Sequence, residues 1–192
     1  MKKVLILTFL AIAPLILPAQ LMIHVGDKIN NDLLVTAVDD NNEYYWVGTN
    51  KGLYRVNKND KKDVLFTKAN SPLQSNCITA VCCRKNGDVW IGTTKGALFF
   101  DGYAFNTVDS DNSKLPENNI TSMKEDAVGD LWIGTKGSGL VKVHRNRFQL
   151  YNKENSNLGE NTICSIVKDK QQNVIIAVTQ KDSVLASNIV RK

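Results

Sequence analysis

The tetrapeptide Trp-Ile-Gly-Thr at residues 90–93 returns unchanged at residues 132–135, and as Trp-Val-Gly-Thr at residues 46–49. The tryptophans are 44 and 42 residues apart, and a further 43 residues lead to Ile175 in a degenerate copy at residues 174–178. A period of roughly 40–45 residues with several short strands per unit is typical of propeller blades. The motif therefore predicts an all-β chain, a β-propeller or partial propeller of about four blades of four antiparallel strands each.

The register of the repeat sets the predicted blade boundaries. Aligning the units on their tryptophans predicts blades at residues 34–67, 78–108, 120–151 and 163–190. The last unit has only three strands, so residues 21–25 are a candidate strand to complete it and close a ring; the alternative is an open arc. Each tryptophan is expected to fill the space between neighbouring blades, because one large ring buries on the order of 150–250 Å².

The N-terminus has the layout of an export signal. Lys2 and Lys3 precede an apolar run at residues 4–17, and Pro18-Ala19 follows it. This pattern predicts a secretory signal peptide at residues 1–19 and a propeller domain at residues 20–192. An uncleaved segment that anchors the chain to the membrane is the alternative. The expected location is periplasmic or extracellular, in a bacterium.

Composition excludes two broad classes. The 192 residues are 43% hydrophobic and 22% charged, so the chain can bury a core and is not compositionally disordered. The net charge is +5, but the basic residues are scattered, whereas nucleic-acid binding usually needs a concentrated basic stripe. No nucleic-acid partner is expected.

The residues around the third tryptophan also resemble a known family. Gly129-Asp130-Leu131 leads into the motif at 132–135, Gly139-Leu140 follows it, and Asn-Ser-x-Leu connectors begin at residues 70, 112 and 155. This sequence pattern resembles the two-component regulator propeller repeat. The resemblance implies the periplasmic sensor region of a bacterial hybrid two-component system, which often recognises oligosaccharides. It also implies a truncated or partial sensor, because no kinase follows on this chain.

The four cysteines are Cys77, Cys82, Cys83 and Cys164, and their spacing matches no metal motif. They are expected to act as small buried apolar residues. A disulfide between Cys77 and Cys164 stays open, because sequence spacing cannot establish the geometry that such a bond needs.

Nothing in the sequence predicts catalysis, a cofactor or a metal site. His24 and His144 have no cysteine, histidine or acid at metal-ligand spacing, and no nucleophile elbow, P-loop or zinc-protease motif occurs. The chain is therefore predicted not to be an enzyme.

Binding residues are sought where the repeat is broken. The candidates are Tyr44 and Tyr45, where other copies have Asp-Val or Asp-Leu, Arg84 in place of a repeated aspartate, and Tyr103 beside a turn. Exposed tyrosine and arginine suit sugar or peptide contacts; ordinary strand packing is the alternative. The long connectors at 70–76, 109–119 and 152–161 are expected at one end of the blades, where loops on a rigid scaffold often bind.

The predicted function is an exported, ligand-binding sensor module for an oligosaccharide or peptide, with further propeller segments or a sensor kinase as potential partners. The alternative is a structural or protein–protein interaction segment that assembles with other blades.

Overall fold

A computed structural model describes the backbone of residues 5–6, 22–23, 32–180 and 183–188, and the side chains of residues 32–179. The strands of these parts, in chain order, are β1 Leu5–Ile6, β2 Met22–Ile23, β3 Val35–Asp40, β4 Tyr44–Thr49, β5 Leu53–Asn57, β6 Asp63–Phe66, β7 Ile78–Cys83, β8 Val89–Thr93, β9 Gly96–Phe100, β10 Phe105–Val108, β11 Ile120–Glu125, β12 Leu131–Thr135, β13 Leu140–His144, β14 Arg147–Tyr151, β15 Ile163–Lys168, β16 Val174–Gln180 and β17 Ser183–Asn188. The described residues contain no α-helix, and none therefore that could cross a membrane.

Consecutive strands pair into antiparallel sheets that we call blades 1 to 4. Blade 1 comprises β3–β6, blade 2 β7–β10, blade 3 β11–β14 and blade 4 β15–β17, and in each the strands lie side by side in chain order. The all-β prediction of four propeller blades is confirmed, with three strands described for the last blade.

The second strand of a blade is covered on both faces. Every residue of β8 and of β12 is buried. A strand with both faces covered is apolar along its length rather than alternating. The strands that carry the Trp-Ile-Gly-Thr motif show this pattern. The tight turns that precede these strands use Gly87 and Gly129, whose positive φ angles of 97° and 88° favour glycine.

The blades stack face to face, with their first strands next to one another. Strand β3 contacts β7, β7 contacts β11, and β11 contacts β15. We call the face of a blade that meets the next blade its forward face, and the opposite one its back face. The tryptophans lie on forward faces: Trp46 packs in one cluster with Ile78 and Ile91 of blade 2, and Trp132 with Ile163 and Ile176 of blade 4. The predicted role of the tryptophans between blades is confirmed.

The glycine of each motif lets the next blade approach. A Cβ added at Gly48, Gly92 or Gly134 would lie 2.6–2.7 Å from the Cγ2 atom of the isoleucine that opens the first strand of the following blade. Real Cβ atoms essentially never come so close, so only glycine fits this position. Blade 4 has Ala177 there instead, and its forward face is therefore shaped differently from the other three.

The repeated connectors are folded by their asparagines. In the first connector, Asn70 accepts a hydrogen bond from the backbone of Thr67 and donates one to the carbonyl of Leu65, and Asn76 accepts one from the backbone of Lys68. Asn112 with Asn118 and Asn155 with Asn161 repeat this arrangement in the next two connectors. One buried leucine anchors each connector: Leu73, Leu115 and Leu158.

Two predictions for the N-terminus remain predictions. The signal peptide at residues 1–19 lies outside the described residues except for Leu5–Ile6. Those two residues pair with Met22–Ile23, which are the described part of the proposed closing strand at 21–25. The structure thus pairs Met22–Ile23 with β1 and not with blade 4, and ring closure remains untested.

All four cysteines are free thiols. Only Cys82 is buried as expected; Cys77 and Cys83 are half-buried and Cys164 is exposed. Burial, reinforced by Asp39, raises the pKa of Cys82 to about 11. Burial also raises the pKa of Cys83, so neither thiol is a reactive thiolate at neutral pH.

Candidate functional site

The antiparallel strand order separates two ends of the stack. The long connectors lie at one end, together with the turns between second and third strands. The turns between first and second strands, and between third and fourth strands, lie at the other end. The turns that carry Arg84 and Tyr103 therefore lie at the end opposite the connectors, and Tyr44 and Tyr45 begin their strand there.

Tyr44 and Tyr45 point to opposite faces of blade 1, because successive strand residues alternate. Tyr44 lies on the forward face, with its ring 6.4 Å from that of Trp46. Tyr45 packs on the back face against Val47, Tyr54 and Val56. The two tyrosines therefore do not form one site.

Arg84 joins blade 2 to blade 3. Its Nε donates to Glu125 Oε1 at 3.3 Å, and its Nη2 donates to the carbonyl oxygen of Gly129 at 2.7 Å. Asp88 approaches the same guanidinium at 3.8 Å. With its donors engaged by the protein, Arg84 acts in this structure as a clamp between blades.

Tyr103 is the one candidate that is fully available. Its side chain is 97% exposed, and it stands in a turn where Asp101 accepts hydrogen bonds from the backbone of Tyr103 and Ala104. These bonds hold the pKa of Asp101 below its ordinary value. The turn is therefore ordered, and it holds the Tyr103 ring at the edge of a groove.

That groove runs along the outer rim between blades 1 and 2, and we call it the rim groove. It has a volume of about 360 Å³, near the lower end of the roughly 300–1,000 Å³ of small-ligand sites. Three phenylalanines form its walls, with ring centroids 5.0 Å apart between Phe66 and Phe105 and 4.9 Å apart between Phe100 and Phe105. Its lining also includes Arg55, Asn70, Ser71, Pro72, Gly102 and Tyr103.

Arg55 is the charged residue of the rim groove. Its guanidinium lies 4.8 Å from the ring centre of Tyr44, 5.8 Å from that of Trp46 and 5.5 Å from that of Phe66. Phe100 of blade 2 provides a fourth ring at 5.8 Å. Arg55 Nε is buried and has no hydrogen-bond partner among the described residues.

Sequence reasoning missed Arg55, although the repeat contains a signal for it. Arg55 pairs with Trp46 across β4 and β5, and the same register places Phe99 opposite Trp90 and Lys142 opposite Trp132. This position is thus another break in the repeat. It becomes visible only once the strand register is known.

A second groove occupies the equivalent place between blades 2 and 3. It is lined by Asp111, Asn112, Ser113, Lys114, Asn146, Arg147 and Phe148. The stacking of blades therefore creates the groove, and the residues that differ between repeats set its chemistry. The first groove is walled by aromatic rings, whereas the second is mainly polar.

Blade 3 carries a charged cluster around Asp130, whose side chain is only 6% exposed. Asp130 accepts hydrogen bonds from Lys142 Nζ at 2.8 Å and from His144 Nδ1 at 2.5 Å. Burial by itself would raise the pKa of Asp130, but the hydrogen bonds and charges of Lys142 and His144 outweigh it and lower the pKa. Among the described residues, no three histidines, cysteines or acids converge to hold a metal ion.

The Asp130→Asn variant tests this cluster. At pH 7 we expect it to lower the free energy of unfolding by about 1.5–3 kcal/mol, as for hydrogen bonds to charged groups. A lowered pKa contributes stability above the unfolded value of about 3.9 and loses it as the pH falls through the folded value. The difference between wild type and variant should therefore shrink below about pH 4, measured by urea unfolding from pH 7 to pH 3. Exposed Glu154→Gln is the control, and a difference that is constant with pH would contradict the assignment.

Sheets that stack around their first strands, three of them with a buried tryptophan on the second strand, define a repeat-built β-propeller. The model of the two component regulator propeller family matches residues 72–95 and 114–137. Both matches run from a connector to the turn after the Trp-Ile-Gly-Thr motif. The comparison with curated proteins gives no match.

Several solved structures are similar. One is an extracellular domain described as that of a hybrid two-component system, BT3049 of B. thetaiotaomicron, with 25% identity and a TM-score of 0.66 over 76% of this chain. Two others show the shared fold alone. PorZ of the Porphyromonas gingivalis type-IX secretion system has 18% identity and a TM-score of 0.55, and the match covers 75% of this chain and 24% of PorZ. Virginiamycin B lyase of Staphylococcus aureus has 13% identity and a TM-score of 0.60, and the match covers 83% of this chain and 57% of the lyase.

The chain spans 20% of the length of the BT3049 extracellular domain. That domain belongs to a two-component system, whereas virginiamycin B lyase is an enzyme with the same fold. A fold by itself does not decide function, so the function is argued from the site.

Proposed function

We propose that the chain is an exported, ligand-binding propeller module of the sensor type, and that its ligands are oligosaccharides. The observation that carries the proposal is the rim groove, where Tyr103 and the phenylalanine walls offer flat apolar surface beside polar groups. Aromatic rings with a polar neighbour suit amphipathic ligands such as sugars. The similarity to an extracellular regulator domain supports both the sensor role and the export.

Recognition in this proposal depends on a groove whose shape is fixed before the ligand binds. The walls of the groove belong to blades 1 and 2, which are held together by the Trp46 cluster. A groove built on such rigid elements keeps its geometry without the ligand, which reduces the entropy lost on binding. Contacts of the ligand with both blades would in turn strengthen their interface.

The test is thermal unfolding in the presence of a panel of neutral and acidic oligosaccharides. A ligand at one hundred times its dissociation constant stabilises the folded state by about 2.7 kcal/mol. For a chain of this size, we expect the melting temperature to rise by about 5–10 °C. Sucrose at the same concentration is the control, because excluded solutes stabilise proteins without a site. No shift above the sucrose control across the panel would contradict the proposal.

A second candidate function is assembly with another propeller segment, and the forward face of blade 4 favours it. Val167 is 49% exposed there and pairs with the half-buried Ile175, the counterpart of the tryptophans. Sedimentation analysis tests this candidate. Concentration-dependent dimers that Val167→Lys abolishes would support assembly, and a monomer at all concentrations would exclude self-assembly.

A further inference from the structure

The rim groove contains a cation, Arg55, that has no counter-ion within residues 32–179. The equivalent position in blade 3 is Lys142, whose ammonium meets Asp130 at 2.8 Å, and in blade 2 it is the uncharged Phe99. For Arg55, no ion pair and no hydrogen bond with a described residue occurs, and its Nε is buried. Arg55 and Lys142 both face a tryptophan at this position. Of these two cations, only Arg55 has all its N–H donors available for a ligand.

The surroundings of Arg55 explain how the fold tolerates this charge. Burying a cation without a partner is costly, and the four rings around the guanidinium offset part of that cost through cation–π attraction. Rings attract the faces of the guanidinium but leave its N–H groups unsatisfied. A carboxylate would satisfy them, because the planar fork of arginine matches two carboxylate oxygens.

The walls of the groove indicate which class of ligand should carry that carboxylate. Phe105 and the exposed ring of Tyr103 flank the groove with flat apolar surface, and Ser71 Oγ, which donates to Thr67, keeps its lone pairs for a hydroxyl donor. A pyranose ring has an apolar face for an aromatic ring and hydroxyl groups at its edge. A hexuronate combines such a ring with a carboxylate.

We propose that the rim groove binds a hexuronate residue of an acidic oligosaccharide, with the carboxylate on Arg55 and the sugar ring against Tyr103 and Phe105. This inference rests on the proposed function and gives it a ligand class and a place. The equivalent groove between blades 2 and 3 has Phe99 at the arginine position and is not expected to bind the same ligand.

The first experiment compares two probes that have the same sugar rings but differ in charge. Calorimetric titration of the full chain uses trigalacturonate and its fully methyl-esterified form, which has the same rings without the carboxylates. The acid should bind, and the ester should bind at least tenfold more weakly. A hyaluronan tetrasaccharide, which carries glucuronate, is the second acidic probe, so that the result does not depend on the stereochemistry of one sugar.

The second experiment uses three variants. Arg55→Gln should weaken binding of the acidic probe at least tenfold. Arg147→Gln removes the same charge from the equivalent groove between blades 2 and 3 and should leave binding unchanged. Tyr103→Ala should weaken binding three- to tenfold, and because that side chain is almost fully exposed, the variant keeps the fold. It therefore decides the question even if Arg55→Gln does not fold.

Several results would overturn the inference. Equal affinities for acid and ester would remove the role of the carboxylate, and unchanged affinity in Tyr103→Ala would place the ligand elsewhere. Binding of neutral oligosaccharides without either acidic probe would refute the hexuronate and leave the proposed function standing, whereas no binding of any saccharide would refute both. A glutamate-rich peptide that binds more tightly than both acidic probes would assign the groove to acidic peptides instead.

Discussion

Replacing Trp132 with alanine is expected to lower the free energy of unfolding by about 3–5 kcal/mol, the usual cost of truncating a large core aromatic residue. The ring is buried between blades 3 and 4, in a cluster with Leu140, Ile163 and Ile176. Its Nε1 donates to Asp126 Oδ2 at 2.8 Å, and the truncation would remove that donor as well. Urea unfolding followed by circular dichroism measures the loss.

Phenylalanine variants separate packing from hydrogen bonding. Trp132→Phe keeps an aromatic ring but removes the donor to Asp126. Trp46→Phe makes the same change in blade 1, where the indole Nε1 has no hydrogen-bond partner in the part of the chain that the structure describes. We expect Trp132→Phe to cost about 1–3 kcal/mol more than Trp46→Phe, because it leaves a buried acceptor unsatisfied. Equal costs would mean that the bond to Asp126 adds nothing to stability.

Replacing Gly134 with alanine is expected to lower the free energy of unfolding by about 1–3 kcal/mol through overpacking. The new Cβ would lie 2.6 Å from Ile163 Cγ2 and 2.8 Å from Ser122 Oγ. The first contact is with the next blade, so blades 3 and 4 would have to move apart. The same unfolding measurement applies.

Two further variants control for the glycine itself. Gly159 has open space where a Cβ would be added, so Gly159→Ala should change stability by less than about 0.5 kcal/mol. Ala177→Gly introduces the motif glycine into blade 4 and should cost about 0.5–1 kcal/mol from chain entropy. A Gly134→Ala variant as stable as Gly159→Ala would contradict the close approach of the blades.

The candidate binding residues show how far the pattern of the sequence reaches. The sequence shows where the repeat is broken. It does not show whether the side chain at a break faces a groove, a core or a partner. Tyr44 and Tyr45 are neighbours in the chain and lie on opposite faces of one sheet. Arg84 is a residue type that suits binding, yet its N–H groups donate to Glu125 and to the carbonyl oxygen of Gly129. Both partners belong to blade 3, about 40 residues further along the chain.

The connectors also have a structural role. Their length and polarity suggested loops for binding, and their asparagines turn out to fold them: Asn70, Asn112 and Asn155 each hydrogen-bond their own loop. Of the first connector, Asn70, Ser71 and Pro72 line the rim groove. The remaining walls of the groove come from the blades.

The sequence by itself determined the blades of this protein. A strand and its turns depend mainly on nearby residues, and the motif at 46–49, 90–93 and 132–135 returns about every 43 residues. The tertiary structure alone decided the groove, because Arg55, Phe66 and Phe100 come from different strands of two blades and meet only when those blades stack. The stacking in turn depends on glycines whose missing side chains leave room for the next blade.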